Sequence, residues 1–100
     1  MSRFASFAEF YPFYLNEHST VGCRRLHFVG TSLALGCGLA AAVSHDAWWL
    51  VGALVSGYAF AWIGHLAFEH NRPATFQHPF YSLAGDFHMY GDMLTGRIPL

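Results

Sequence analysis

The chain contains no lysine, and its five cationic side chains are all arginines. Charged residues of either sign make up only 11% of it, against about 25% in an ordinary soluble domain. A chain of 100 residues folding in water needs polar groups to coat its surface, and here they are scarce, which points to lipid contact. The net charge of -1 provides no basic field, which argues against nucleic acid as a partner. Cys23 and Cys37 fall in or beside one apolar segment, too far apart along a continuous helix to form a disulfide. They are expected to be small apolar side chains, so cysteine usage does not indicate a redox compartment. The first residues are aromatic and soon followed by Glu9 and Glu17, with no apolar core and no cleavage site. No signal peptide is therefore expected. There are no repeats and no low-complexity linker, and residues 1–100 read as a single membrane helical domain.

What is abundant is apolar: 54% hydrophobic residues, 18% aromatic. Residues 4–17 carry Phe4, Phe7, Phe10, Tyr11, Phe13 and Tyr14 at helical spacing, with Pro12 expected to interrupt or kink the pattern. Such an aromatic stripe suits the membrane interface. A second segment starts near the capping residues Ser19 and Thr20 and is free of charge from Phe28 to Val43. A third runs from Ala47 through Phe68, with His65 its only ionisable group. Both approach the about 20 residues needed to cross a hydrocarbon core. Ser44, His45 and Asp46 form the tight turn between them, which predicts a central antiparallel transmembrane hairpin. Gly30, Gly36, Gly38, Gly52, Gly57 and Gly64 lie along it. In lipid such small residues let helix backbones approach, and they also permit association into a homo-oligomer. Asn71-Arg72-Pro73 is expected to end the third helix, and a fourth, amphipathic helix is expected from Ser82 to about Thr95, stopped by Gly96. The fold class is all-α, about four helices in a small membrane-embedded bundle.

All five arginines lie outside the hairpin tip, so the positive-inside rule places both termini in the cytoplasm. Seven histidines in this length is a high number, and their positions are informative. At about 1.5 Å per residue, His27 and His65 lie about 27 and about 30 Å from the tip on antiparallel helices. They should therefore stand at one depth, near the cytoplasmic face, with His18 at that same end. Ionisable groups in membrane spans are costly and are usually functional. Imidazole plus carboxylate suits iron or zinc, and two or three such ligands with open positions suit non-heme Fe(II) and O2 chemistry. Glu17, Glu69 and Asp86 are available as ligands or as supports for ligands. His45, His70, His78 and His88 are expected at loops or the interface. The Glu69–Arg72 pair, at i, i+3, also fits an ion pair at a helix end.

Three stretches together carry a family resemblance. They are Phe10-Tyr11-Pro12-Phe13-Tyr14-Leu15-Asn16-Glu17-His18, Arg25-Leu26-His27, and Trp62-Ile63-Gly64-His65 followed by Phe68-Glu69-His70-Asn71-Arg72-Pro73-Ala74-Thr75-Phe76. Ser82-Leu83 and Asp86-Phe87-His88-Met89 follow in order. Over residues 10–97 the chain resembles the small bacterial relatives of the yeast-type 2-hydroxy fatty acid dioxygenase family. The resemblance implies an integral protein of a bacterial inner membrane that uses Fe(II) and O2 to shorten a 2-hydroxy fatty acid by one carbon. It further implies that His18, His27 and His65 serve the iron, and that Glu69 and Arg72 belong to the catalytic motif. The alternative is a non-catalytic metal- or lipid-binding module of the bilayer in which the same histidines hold zinc.

Overall fold

The computed structural model describes residues 4–71 and 77–99. Within them the chain is all-helical: α1 (Phe7–Asn16), α2 (Val21–Ser44), α3 (Trp48–Gly64) and α4 (Pro79–Leu94), with a π-helical turn His65–Glu69 continuing α3. The four-helix, all-α expectation holds.

Ser6 caps α1 by accepting from the Glu9 N–H, and Thr20 caps α2 by accepting from the Cys23 N–H at 3.2 Å. Pro12 sits inside α1 without ending it. Its missing N–H leaves the Ala8 carbonyl unpaired within the helix, and both residues are exposed, so water or headgroups can satisfy that oxygen. At the hairpin tip His45 takes a left-handed conformation (φ 58°), and Asp46 Oδ1 accepts from the Trp48 N–H at 3.0 Å. α3 does not run regularly to Asn71. It widens after Gly64 into the π turn and stops at His70, left-handed at φ 57°. The Asn71 N–H closes that end onto the His65 carbonyl at 3.1 Å. α4 starts before Ser82, at Pro79, because proline's fixed φ and absent N–H suit a first helical position.

α2, and α3 together with its π turn, are long and apolar enough to cross a membrane. In their most apolar 18-residue stretches only 11% and 17% of residues are buried. The core helix of a water-soluble protein would show the opposite, and here Leu39, Val43, Trp48, Leu54 and Val55 are all more than half exposed. Two glycines bring the hairpin together. A Cβ at Gly30 would lie 2.9 Å from Phe60 Cβ and 3.2 Å from the Ser56 carbonyl. At Gly64 it would lie 3.1 Å from Cys23 Sγ and 3.3 Å from Cys23 Cα. The backbones therefore touch next to His65.

α1 lies against α4. Phe10, Tyr14, Met89 and Met93 form the buried cluster between them, each large side chain contributing about 1.5–3 kcal/mol. Tyr11 Oη donates to Asp92 at 2.7 Å, and Ser32 and Tyr90 share a hydroxyl hydrogen bond of 2.9 Å that ties α2 to α4. His78, expected at the surface, is buried: its ring meets Phe4, Phe10 and Phe13 edge-on. The early start of α4 carries it inward. α4 thus packs on α1 and α2, and this layer covers the end of the hairpin away from the tip.

Candidate metal centre

His18 stands in the short link between α1 and α2, His27 two turns into α2, and His65 at the start of the π turn. Their exposures are 2%, 5% and 1%. His18 Nε2 lies 3.1 Å from His27 Nε2 and 2.9 Å from His65 Nε2. The rings meet nearly at right angles, at 88°, 75° and 84° for the three pairs.

The opposite ring nitrogens establish where the protons are. His18 Nδ1 faces the Tyr14 carbonyl at 2.7 Å, and His27 Nδ1 faces the Cys23 carbonyl at 3.0 Å. A carbonyl can only accept, so each Nδ1 carries the hydrogen. His65 Nδ1 faces Asn71 Oδ1 at 2.6 Å. Asn71 Nδ2 donates to the Glu17 carbonyl at 3.3 Å and to Glu17 Oε2 at 2.7 Å, which orients the amide with its oxygen toward His65. His65 Nδ1 is therefore also the protonated nitrogen. All three Nε2 atoms are bare, and their lone pairs converge.

Bare nitrogens at hydrogen-bond distance with no proton between them repel one another. A cation among them converts that repulsion into bonding. Nitrogens bound at about 2.1 Å to one divalent ion sit about 3.0 Å apart on neighbouring octahedral corners and about 3.4 Å apart on tetrahedral ones. The two spacings from His18 match the octahedral edge, so the donor set fits a divalent metal with open positions left over. Burial and the two neighbouring imidazoles push His18 down to about 2, which keeps its ring neutral at physiological pH.

Cys23, expected to be only a small apolar side chain, belongs to the same buried group. It is fully buried, its Sγ is 3.7 Å from His27 Nδ1, and the sulfur and the three imidazoles offer ligand atoms within 4.8 Å of one another. A signal for this was present: Tyr14/His18 and Cys23/His27 are both i, i+4 pairs, and each histidine donates to the carbonyl four residues back. His65 finds its acceptor six residues ahead, and no periodicity announces Asn71 in that role.

Glu69 does not join the converging donors. Its carboxylate accepts from the Ser19 hydroxyl at 3.0 Å and from the Thr20 N–H. It fastens the π turn to the N-terminus of α2, where an anion is favoured. Arg72 lies outside the described residues. Arg24 is the fourth residue of α2, and its Nε is buried without a hydrogen-bond partner among the described residues. His45 and His70 are exposed, and His88, also exposed, pairs with Asp92 and packs edge-on against Tyr11 of α1.

The histidines open into a cavity of about 240 Å³. Asp86 and Ser82 of α4 line its polar end. Asp86 accepts a hydrogen bond from Tyr14 Oη. Burial pushes this carboxyl up to about 6, against the opposing effect of that hydrogen bond. Tyr14 itself is pushed well above the usual phenol range by its own burial and then by the charge of Asp86. Its ring stacks on His18 at 4.0 Å, so Tyr14 links the cavity's carboxylate to one histidine. Apart from Thr31 and Tyr58, the rest of the lining is apolar.

Compared with known proteins, residues 4–98 match the family described as 2-hydroxy-palmitic acid dioxygenase Mpo1-like. The chain belongs to the Mpo1-like family, the one its motifs resemble. No curated protein and no solved structure matches it.

Proposed function

We propose that this protein is a non-heme iron dioxygenase of the bilayer that shortens 2-hydroxy fatty acids by one carbon at the expense of O2. The observation that carries the reading is the meeting of three buried imidazoles through their Nε2 atoms, each with its Nδ1 facing an oxygen acceptor, in the lining of a mostly apolar cavity. The family's name, a dioxygenase acting on a 2-hydroxy fatty acid, supports the substrate and the reaction class.

His18, His27 and His65 hold Fe(II) through Nε2. Iron there supplies the redox chemistry with O2 that no side chain in the cavity can provide. The other groups bind and orient. Asp86 faces the polar end of the cavity and accepts the hydrogen bond of the substrate's 2-hydroxyl, and Ser82, one turn before it, stands beside that group. Tyr14 holds Asp86 in place from the α1 side. Glu69 serves by locking the π turn to α2, and Arg72, by its place in the motif, or Arg24 or Arg25 is the cation proposed for the substrate carboxylate. The apolar walls exclude water. The uncovered faces of α2 and α3 lie in lipid, and the arginine distribution sets both termini in the cytoplasm of a bacterial inner membrane.

The test is anaerobic purification with Fe(II), followed by O2 uptake and product analysis with 2-hydroxypalmitate. Stoichiometric iron and an acid one carbon shorter are expected. Absence of both bound iron and uptake refutes the proposal, and full zinc occupancy without uptake makes the protein a binding module instead.

A further inference from the structure

The cavity does not end at the head-group residues. Beyond His65 it follows the inner face of α3 past Ala61 and Gly57 to Ala53, and along α2 it reaches Leu35. At about 1.5 Å per residue, the stretch of α3 from His65 back to Ala53 is about 18 Å long. Side-chain size makes the space. Next to Gly30 and Gly64 the two backbones of the hairpin touch, but a Cβ at Gly57 would meet only Ala34 Cβ, at 3.9 Å. The hairpin is therefore tightest at those two contacts, while Ala34, Ala53, Gly57 and Ala61, whose side chains are small or absent, border the cavity beside the seam. The hollow also has a side opening. α4 packs on α1 and α2 rather than on α3. Leu54 of α3 and Leu83 and Phe87 of α4 line the cavity yet are 63%, 52% and 47% exposed, so they form its rim toward the surroundings.

We propose that this hollow is a slot for one acyl chain, which enters sideways between α3 and α4, and that Gly57 and Ala53 set the chain length it accepts. The inference rests on the reading above for the head group only. The polarity of the slot specifies the occupant: histidines, Asp86 and Ser82 lie at one end, and the walls beyond them are mostly apolar, with Thr31 and Tyr58 the hydroxyl-bearing residues among them. A single-chain amphiphile with an oxygenated head satisfies both ends. A two-chain phospholipid would have to leave one chain outside.

The experiment measures binding without turnover. Iron-loaded protein in detergent, kept under nitrogen, is titrated with saturated 2-hydroxy acids of increasing length that compete with the fluorescent acyl probe cis-parinaric acid. Affinity is expected to rise roughly fourfold per added methylene until the slot is filled, then to level off. Gly57→Leu shortens the free slot from about 18 to about 12 Å, so levelling is expected about five methylenes earlier with iron content unchanged. Gly36→Leu is the control, because a Cβ at Gly36 meets nothing within 4 Å, and it should leave the profile as it is. If Gly57→Leu fails to hold iron, Ala53→Leu at the far end decides, with an earlier plateau displaced by fewer methylenes. Identical chain-length profiles in the wild type and in an iron-holding variant overturn the proposal. So does displacement of the probe by phospholipid as readily as by single-chain acids. A length-dependent plateau without O2 uptake would leave the slot standing and remove the dioxygenase, whereas uptake with no length dependence would do the reverse.

Discussion

Replacing Asn71 by leucine tests whether the proton pattern of the three histidines is what prepares the metal centre. In the structure Asn71 Oδ1 accepts from His65 Nδ1 at 2.6 Å, and the Asn71 amide is itself held by two oxygens of Glu17. Asn71→Leu removes the acceptor. The His65 proton then has no partner at Nδ1 and can move to Nε2, where it occupies the lone pair meant for the metal. Losing the group that orients a metal-binding histidine typically lowers affinity 10- to 100-fold, or about 1.4–2.7 kcal/mol. The side chain also gives up its donations to Glu17, for a further cost in stability of about 1–2 kcal/mol. Asn71→Asp separates the two effects. It keeps an acceptor for His65 while setting a second carboxylate against Glu17, so it should destabilise the fold and yet retain most of the metal affinity. Fe(II) affinity measured by chelator competition, alongside thermal unfolding of the metal-free protein, reads both quantities. Wild-type affinity in Asn71→Leu, or an equal loss of affinity in both variants, would refute the tautomer argument.

His18→Ala, His27→Ala and His65→Ala should each purify with little or no iron by elemental analysis, while His45→Ala, exposed at the hairpin tip, should keep it; equal iron in all four would remove the ligand assignment. Glu69→Gln should lower the unfolding temperature by an amount equivalent to about 1 kcal/mol, through a weaker hold on the start of α2, with iron affinity within a few-fold of wild type; loss of the iron would instead make Glu69 a ligand. Acid should destabilise the metal-free protein. The unfolded chain protonates His18 near the ordinary imidazole value of 6.5 while the folded chain resists to about 2, so between pH 7 and pH 5 this residue alone withdraws about 2 kcal/mol. Asp86 works against that loss, because its folded form takes up a proton at about 6, above its ordinary value of 3.8, and stability is recovered as pH falls through 6. Asp86→Asn removes this recovery of about 1 kcal/mol and should steepen the acid loss in thermal unfolding at the two pH values, while an unchanged slope would contradict the burial of Asp86.

The wiring around the histidines explains why α1 and α4 accompany a hairpin. α2 and α3 alone would bring His27 and His65 to one depth, but His18 arrives only because α1 docks on α4 through Phe10, Tyr14, Met89 and Met93. Tyr14 then has three tasks. Its carbonyl fixes the His18 proton, its ring stacks on the imidazole, and its hydroxyl holds Asp86. A packing residue between helices is thereby also the connection between the metal centre and the cavity's carboxylate.

Periodicity and composition alone were enough for the four helices, the hairpin turn at His45 and the shared depth of His27 and His65. These follow from the rise per residue, the apolar runs and the scarcity of charge, all of which are local in the chain. Other features needed the folded chain. The π turn redirects the end of α3, so that His65 turns to Asn71 and Glu69 to the start of α2 instead of both meeting one centre. His78 is drawn inward by an early α4, and Asp86 meets Tyr14 across 72 positions of sequence. The cavity and its side opening depend on which helix α4 leaves uncovered. Spacing along a helix specifies which side chains share a face, but the partner of that face is chosen by the packing of the whole bundle, and the chemistry at this site resides in those long-range contacts.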